Sequence, residues 1–186
     1  MKSRLVTVFG GSGFIGRYVV EKLAARGDLI RVAVRRPSDA LFLKPLGDLG
    51  QIQIVAANLC NEASVRRAVA GADVVINLVG VLYNAGSQSF DKLHDEGAGR
   101  VAACAADAGA RALVHMSALG ASATSEAQYA RSKAQGEAAV LKAFPSATII
   151  RPSVVFGPED GFYNRFASLA AMLPILPIPG AETKFQ

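Results

Sequence analysis

The sequence predicts an α/β fold built on a doubly wound parallel sheet. Short β-branched runs alternate with helical stretches along most of the 186 residues, and several of these runs are apolar nearly throughout. Strands of that kind are typical of a parallel sheet buried by helices on both faces, which gives three layers in the order α/β/α. Ligands of such sheets bind at the carboxyl ends of the strands, so functional residues are expected there.

The order of the elements follows from their periodicity and their ends. The expected strands are residues 4–9, 30–34, 52–57, 73–79, 112–117 and 147–151. Helices are expected near 14–26, 62–70, 88–108 and 126–143, with a further helical stretch beginning near Phe162. Gly27 and Gly71 follow the first two helices, where a glycine commonly ends a helix.

Composition excludes several classes of protein. Apolar residues make up 51% of the chain and charged residues 19%, without a low-complexity tract or internal repeat, which is typical of a soluble globular protein. Cys60 and Cys104 lie far apart and only two histidines are present. Neither a disulfide framework nor a metal site is therefore predicted, and a reducing, cytoplasmic compartment is expected.

The N-terminus and the net charge bear on membrane insertion and on the kind of ligand. The first apolar run lacks a cleavage signal, and no apolar run is long enough to span a bilayer. The formal net charge is +5, but the basic residues are scattered along the chain. Nucleic acid is therefore not an expected partner, whereas a phosphate-bearing ligand accounts for some of the basic residues.

The segment GGSGFIGRYVV, directly after the first strand, carries three glycines in a GxxGxxG pattern. The first permits a tight turn, the second lets backbone amides approach a pyrophosphate, and the third lets the helix pack closely. The phosphates would lie at the positive end of the helix dipole. A pattern that follows a strand and opens a helix predicts dinucleotide binding in a Rossmann-type fold. The expected contact residues are Gly10, Ser12, Gly13, Phe14, Ile15 and Gly16.

The second strand ends in VAVRRPSD, where an NAD site usually places an acid that binds the ribose hydroxyls. Arg35 and Arg36 stand there instead, and no acid follows before Asp39. Guanidinium groups suit a 2′-phosphate, so NADP(H) is the expected cofactor and NAD(H) the alternative. A solvated basic turn is the other interpretation of the two arginines.

The later strand ends supply further candidates. Asn58 and Leu59 follow the third strand and are placed beside the adenine. Val79 and Gly80 follow the fourth and are placed near the dinucleotide backbone, with simple strand core as the other interpretation. Ser117 ends the fifth strand at the rim of the sheet.

Tyr129 and Lys133 stand four residues apart in the expected helix 126–143, so their side chains share one helix face. An ammonium beside a phenol lowers a phenol pKa that is otherwise about 10, which suits a proton donor. Many helices carry the same pair by chance.

His115, in the fifth strand, is expected to be a packed strand histidine.

Taken together, these residues resemble the short-chain dehydrogenase/reductase superfamily in its extended or atypical branch. GxxGxxG at Gly10 to Gly16, YxxxK at Tyr129 to Lys133, and RPSVVFGP at 151–158 occur in that family's order. The resemblance covers essentially the whole chain. Within the branch, the segments look most like the NAD(P)H-binding accessory subunit of respiratory complex I and its bacterial relatives.

The resemblance implies roles for individual residues. Tyr129 would be the acid/base, and Lys133 would bind the nicotinamide ribose and lower the pKa of Tyr129. The nicotinamide pocket would be lined by Pro152, Ser153 and Val154. Ser117 would be the catalytic serine, but the strand end departs from the family's hydroxyl-rich pattern, so Ser122, Thr124 or no residue at all are alternatives.

The resemblance also implies a domain division at 1–160 for the NADP(H)-binding domain and 161–186 for the start of a C-terminal substrate or interaction lobe. That lobe is largely absent, so a truncated chain is expected. The segment 166–180, apolar and interrupted by prolines, is expected to contact another lobe, a protein or a membrane face. Packing of this segment on the domain's own sheet is the alternative.

Three functions from different classes follow. The first is an accessory or assembly subunit of a respiratory complex that binds NADP(H) structurally, with complex I subunits as partners at the inner face of the membrane. The second is an active oxidoreductase or epimerase acting on a sugar nucleotide or a hydrophobic alcohol. The third is a regulator that senses the NADP(H) ratio. The oligomeric state is left open.

Overall fold

The computed structural model describes residues 3–81, 91–161 and 163–172. Its strands are β1 Leu5–Phe9, β2 Leu29–Val34, β3 Ile52–Ala56, β4 Val74–Asn77, β5 Ala112–Met116 and β6 Thr148–Ile150. Its α-helices are α1 Phe14–Ala25, α2 Glu62–Val69, α3 Gly97–Asp107, α4 Gln128–Ala143 and α5 Tyr163–Met172. A 3₁₀ segment, Pro37–Leu46, follows β2, and a π-helical turn, Asp91–Glu96, leads into α3.

The six strands form a single sheet in the order β3-β2-β1-β4-β5-β6, and every neighbouring pair is parallel. The expected doubly wound parallel sheet is therefore confirmed. The chain winds outward in one direction from β1 through β3 and in the other from β4 through β6. The carboxyl ends of β1 and β4 thus flank the point where the strand order reverses, which is where such sheets bind ligands.

Alternating side chains along β1 belong to two different hydrophobic cores. Val6 and Val8 join a cluster that contains Val20 of α1 and residues of the 3₁₀ segment. Phe9 joins a separate cluster built with α2, α3 and α4, which includes Val101. Because successive side chains of a strand point to opposite faces, the two clusters lie on the two sides of the sheet and give the expected three layers.

Two helix ends agree with the sequence, whereas the end of the fourth strand and the start of the helix expected at 88–108 differ from it. Gly27 and Gly71 both adopt positive φ directly after α1 and α2. The fourth strand ends at Asn77 rather than at residue 79, because the Asn77 side chain accepts the Val79 N–H at 3.1 Å in place of a ladder partner. The helix expected at 88–108 becomes α3 and the π-helical turn before it, and its first residues, 88–90, lie outside the described residues.

The chain divides into two compact units between Arg151 and Pro152. The first contains the sheet and α1 to α4, and the second contains α5, on which Phe166 and Leu169 are exposed. Of the expected contact segment 166–180, residues 173–180 lie outside the described part of the chain. No helix within the described residues is both long enough and apolar enough to cross a membrane.

Candidate functional site

The glycine loop after β1 lies directly against the end of β4. Gly10 has a φ of +78°, and a Cβ added to it would lie 3.1 Å from the carbonyl carbon of Leu78 and 3.2 Å from the nitrogen of Val79. A side chain would therefore be strained by the backbone angle and would also crowd the neighbouring backbone. The close approach joins the two strand ends at the crevice of the sheet.

The remaining glycines of the loop have different roles. A Cβ on Gly16 would lie 2.2 Å from the Gly10 carbonyl oxygen, so α1 packs against the loop itself. Gly13 is exposed, and a Cβ there would approach only that same oxygen, at 3.3 Å. Sequence reasoning missed Gly11, whose Cβ would meet the Val32 side chain at 2.8 Å; a glycine with three glycine neighbours in the motif carried no separate signal.

The first turn of α1 offers a position for phosphate oxygens. Gly13 is its N-cap, and no side chain caps the helix there. Ser12, Phe14 and Ile15 are half-buried around it. An uncapped, exposed helix start at the sheet crevice fits a pyrophosphate, because the free amides and the helix dipole both favour an anion.

The two arginines after β2 differ in their surroundings. Both are exposed, but the Nε of Arg36 forms an ion pair with Asp39 at 2.8 Å. Nearby, the guanidinium of Arg17 in α1 stacks over the ring of Phe42 in the 3₁₀ segment, 5.1 Å from the ring centroid. Asp39, the first acidic residue after the two arginines, is therefore already paired with Arg36.

The two candidates after β3 also differ. Asn58 is exposed, and its side-chain oxygen accepts the Cys60 N–H at 3.0 Å, which shapes the turn. Leu59 is only 6% exposed and belongs to the hydrophobic core with α2 and α3. Its carbonyl accepts a hydrogen bond from Arg100.

The structure brings Lys133 to the end of β4. Lys133 is 3% exposed, and its Nζ donates to the Met116 carbonyl at the end of β5 over 3.2 Å. A Cβ on Gly80 would lie 3.2 Å from that Nζ. The ammonium also lies 5.9 Å from the centroid of the Tyr129 ring. Tyr129 and Lys133 of α4 are distant in sequence from the end of β4, but the fold brings them together in one site. Val79 is half-buried beside it.

Burial controls the protonation of this pair. It lowers the pKa of Lys133 from 10.5 to about 8, against an opposing effect of Glu137. Burial also raises the pKa of Tyr129 above its ordinary value of 10.0. This shift is opposite in direction to the one that the resemblance implies.

His94, in the π-helical turn, was not singled out from the sequence. It is 1% exposed; its Nε2 accepts the Val81 N–H at 2.9 Å, and its Nδ1 lies 3.0 Å from the Ser132 hydroxyl. Its ring meets that of Tyr129 edge to face, with centroids 5.6 Å apart. A histidine inside an expected helix carries no sequence signal for such contacts, because its partners come from β4 and α4.

Ser117 and His115 lie inside the first unit rather than at its surface. Ser117 is 3% exposed, and among the described residues its hydroxyl makes no well-formed hydrogen bond, although it helps to lower the pKa of Glu137. The expected packed strand histidine is confirmed: His115 is 1% exposed, and its Nδ1 lies 3.3 Å from the Asn77 side-chain nitrogen. The alternatives Ser122 and Thr124 pair with each other on a loop, their hydroxyls 3.1 Å apart.

Comparison with known proteins decides the family. A family model described as NAD(P)H-binding matches residues 10–165. The chain belongs to this NAD(P)H-binding family. The residues of the crevice fit such a cofactor, because the glycine loop that leads into the uncapped start of α1 lies against the end of β4 and a buried ammonium stands beside Gly80.

Relatives of this NAD(P)H-binding chain include respiratory subunits and a reductase. It is 39% identical to the mitochondrial NADH dehydrogenase [ubiquinone] 1 alpha subcomplex subunit 9 of Arabidopsis thaliana, over 98% of this chain and 46% of that protein. It is 36% identical to the ceramide reductase of Caulobacter vibrioides, over 94% of this chain and 53% of that enzyme. The chain thus spans about half the length of the relatives it matches, and the resemblance to the complex I subunit group is confirmed.

The fold is shared more widely. The X-ray structure of Pen from Bacillus thuringiensis superposes with a TM-score of 0.79, over 91% of this chain and 57% of that one, at 18% identity. Since identity is low, this likeness shows the fold alone. Pro152, Ser153 and Val154 belong to the second unit, so their role at the nicotinamide stays a prediction.

Proposed function

We propose that this protein is an NADP(H)-binding subunit of the complex I type, in which the nucleotide is a structural component. The observation that carries the proposal is the position of Lys133, whose buried ammonium stands beside Gly80 at the end of β4. A cation there suits the ribose on the nicotinamide side, while the uncapped start of α1 suits the pyrophosphate. Both groups lie in the first unit of the chain.

The preference for NADP(H) over NAD(H) rests on Arg35. It is exposed after β2, where a 2′-phosphate would lie, and the first acid that could bind ribose hydroxyls instead, Asp39, is paired with Arg36. A guanidinium attracts a phosphate dianion, whereas it gains little from a hydroxyl.

Calorimetric titration of matched variants tests this preference. Arg35→Ala should weaken NADPH binding at least about tenfold and leave NADH binding nearly unchanged, since a charge-assisted hydrogen bond contributes roughly 1.5–3 kcal/mol. Arg36→Ala is the matched control and should have the smaller effect, because Arg36 is shared with Asp39. Arg35→Ala affecting both nucleotides equally would overturn the NADP(H) assignment.

Membership in a respiratory assembly is supported by the relatives named as NADH dehydrogenase subunits. It implies peripheral attachment at the surface of a respiratory membrane, with other subunits of the complex as partners. Affinity purification of the tagged protein from its native membranes should recover NADH:quinone oxidoreductase activity and bound NADP(H). Recovery of the protein alone from the soluble fraction would contradict this assignment.

An active reductase is the second candidate, favoured by the Tyr129–Lys133 pair in the crevice and by the ceramide reductase among the relatives. A bound nicotinamide would supply or accept the hydride. Tyr129 would hold the proton that a carbonyl oxygen receives, and Lys133 would orient the ribose. Oxidation of NADPH by the protein with a long-chain ketone would favour this candidate over the structural role.

A further inference from the structure

His94 connects two parts of the site that are distant in sequence. Val81, just after the end of β4, donates its backbone N–H to Nε2 at 2.9 Å. On the other side of the ring, Nδ1 lies 3.0 Å from the hydroxyl of Ser132, which itself lies 2.8 Å from the Tyr129 carbonyl. The imidazole therefore spans from Val81, after β4, to Ser132 in the second turn of α4.

These partners determine where the proton of the ring resides. A backbone N–H can only donate, so Nε2 must be the unprotonated acceptor. The proton of a neutral ring is then on Nδ1, which donates to the Ser132 hydroxyl. Ser132 in turn donates its own proton to the Tyr129 carbonyl. Each donor in this series of hydrogen bonds meets one acceptor. A second proton on the ring would lie on Nε2 and would place its N–H against the N–H of Val81.

The electrostatic surroundings act in the same direction. Burial, the ammonium of Lys133 and the nearby His115 lower the pKa of His94 from 6.5 to about 3. Tyr129 faces the same ring edge to face. The groups around the imidazole thus favour its neutral form, as the hydrogen-bond geometry does.

The packing around His94 leaves little freedom for its backbone. A Cβ on Gly136 of α4 would lie 1.9 Å from the His94 carbonyl oxygen. The turn that carries His94 is therefore in direct contact with α4, one helical turn beyond Lys133. On the site side, a Cβ on Gly80 would lie 3.7 Å from Nε2 of His94 and 3.2 Å from Nζ of Lys133.

We infer that His94 is a positioning residue for nucleotide binding: as a neutral Nδ1–H imidazole it fixes the Gly80–Val81 backbone against the helix that carries Tyr129 and Lys133. The inference rests on the proposed function, since it assigns His94 to the nicotinamide half of the same site. Loss of the link would allow the Gly80–Val81 backbone to move away from Lys133 and would weaken binding of the dinucleotide.

Two substitutions separate hydrogen bonding from packing. His94→Gln keeps one acceptor and one donor on a side chain of similar reach. His94→Phe keeps a ring against Tyr129 but removes the acceptor of the Val81 N–H and the partner of the Ser132 hydroxyl on the ring side. Calorimetry should show NADPH affinity within about threefold of the parent for His94→Gln and at least about tenfold weaker for His94→Phe. Ser132→Ala, which breaks the other half of the link, should weaken affinity by an intermediate factor. Thermal unfolding without nucleotide establishes that each variant is folded.

A spectroscopic measurement needs no nucleotide. Long-range ¹⁵N–¹H NMR of the imidazole should show the neutral Nδ1–H tautomer, and it should persist when the pH is lowered through 6.5, the ordinary pKa of histidine. An Nε2–H tautomer, or titration near that pKa, would overturn the inference.

The binding data distinguish failure of the inference about His94 from failure of the proposed function. Equal NADPH affinity of the parent and a folded His94→Phe variant would overturn the role of His94 alone. A parent protein that binds neither NADPH nor NADH would overturn the proposed function, and the inference with it.

Discussion

Arg151 holds both oxygens of the Glu137 carboxylate. Its Nε donates to Oε1 at 2.8 Å and its Nη2 to Oε2 at 2.5 Å. Glu137 follows Lys133 by one helical turn, and its side chain is only 9% exposed. The pair therefore joins the end of β6 to the helix that carries Tyr129 and Lys133, and it keeps a negative charge next to the buried ammonium.

The first prediction concerns the pH dependence of this pair. Burial would raise the pKa of Glu137, but the hydrogen bonds and the charge of Arg151, together with a contribution from the nearby Ser117 hydroxyl, hold it below its ordinary value of 4.5. A carboxyl group whose pKa is lowered in the folded state stabilises the protein above its unfolded pKa, and this stabilisation is lost as the pH falls through the folded pKa. Arg151→Met should therefore lower the melting temperature at neutral pH, and the difference from the parent should shrink below pH 4.5.

A double-mutant cycle supplies the control. In a Glu137→Gln background, Arg151→Met should have a smaller effect on the melting temperature, because the charged partner is already gone. Additive effects of the two substitutions would contradict the prediction.

The second prediction concerns Lys133, whose folded pKa of about 8 lies below its ordinary 10.5. Between these values the unfolded chain binds the proton and the folded protein does not, so the free energy of unfolding should rise with pH across this range. The rise should be on the order of 3 kcal/mol relative to Lys133→Met, which has no proton to lose. Urea unfolding of both proteins from about pH 7 to about pH 11, a range that brackets both pKa values, would measure it; parallel pH profiles would contradict it.

The third prediction separates Tyr129 from Lys133 in nucleotide binding. Tyr129→Phe should leave NADPH affinity nearly intact, because the ring and its contact with His94 remain. Lys133→Ala should weaken NADPH binding, since it removes the ammonium beside Gly80. If the protein has reductase activity, Tyr129→Phe should lower kcat by about 10²–10⁴-fold, the usual contribution of a general acid. A Lys133→Ala variant that binds NADPH as tightly as the parent would show that the helix face does not serve the nucleotide.

The fourth prediction compares two glycines of the same motif. Gly16→Ala places a methyl group 2.2 Å from the Gly10 carbonyl oxygen, and overpacking against backbone should cost about 3 kcal/mol or more of stability. Gly13→Ala meets that oxygen only at 3.3 Å and the residue has a φ of −76°, so the fold should tolerate it while the new methyl group obstructs the phosphates. Chemical unfolding and NADPH titration of both variants test this contrast, and a stable Gly16→Ala variant would be the contrary result.

Local sequence patterns were sufficient to predict the order of the elements and many of the residues that line the crevice. Strand and helix periodicity, together with the glycine spacing from Gly10 to Gly16, depends on residues close in the chain. The same holds for Tyr129 and Lys133, whose spacing alone places them on one face of α4. These features could be predicted because each is determined by backbone geometry within one or two turns or strands.

The contacts that give the site its chemistry depend on the tertiary structure. The position of Lys133 beside Gly80, the link through His94, and the pairing of Glu137 with Arg151 all join residues from different elements. The direction of the Tyr129 pKa shift also follows from burial rather than from its spacing to Lys133. Sequence alone determined which elements form and where the glycine loop lies, whereas strand order and helix packing decided which side chains meet. The physical reason is that hydrogen bonding and desolvation act over a few ångströms in space, whatever the separation along the chain.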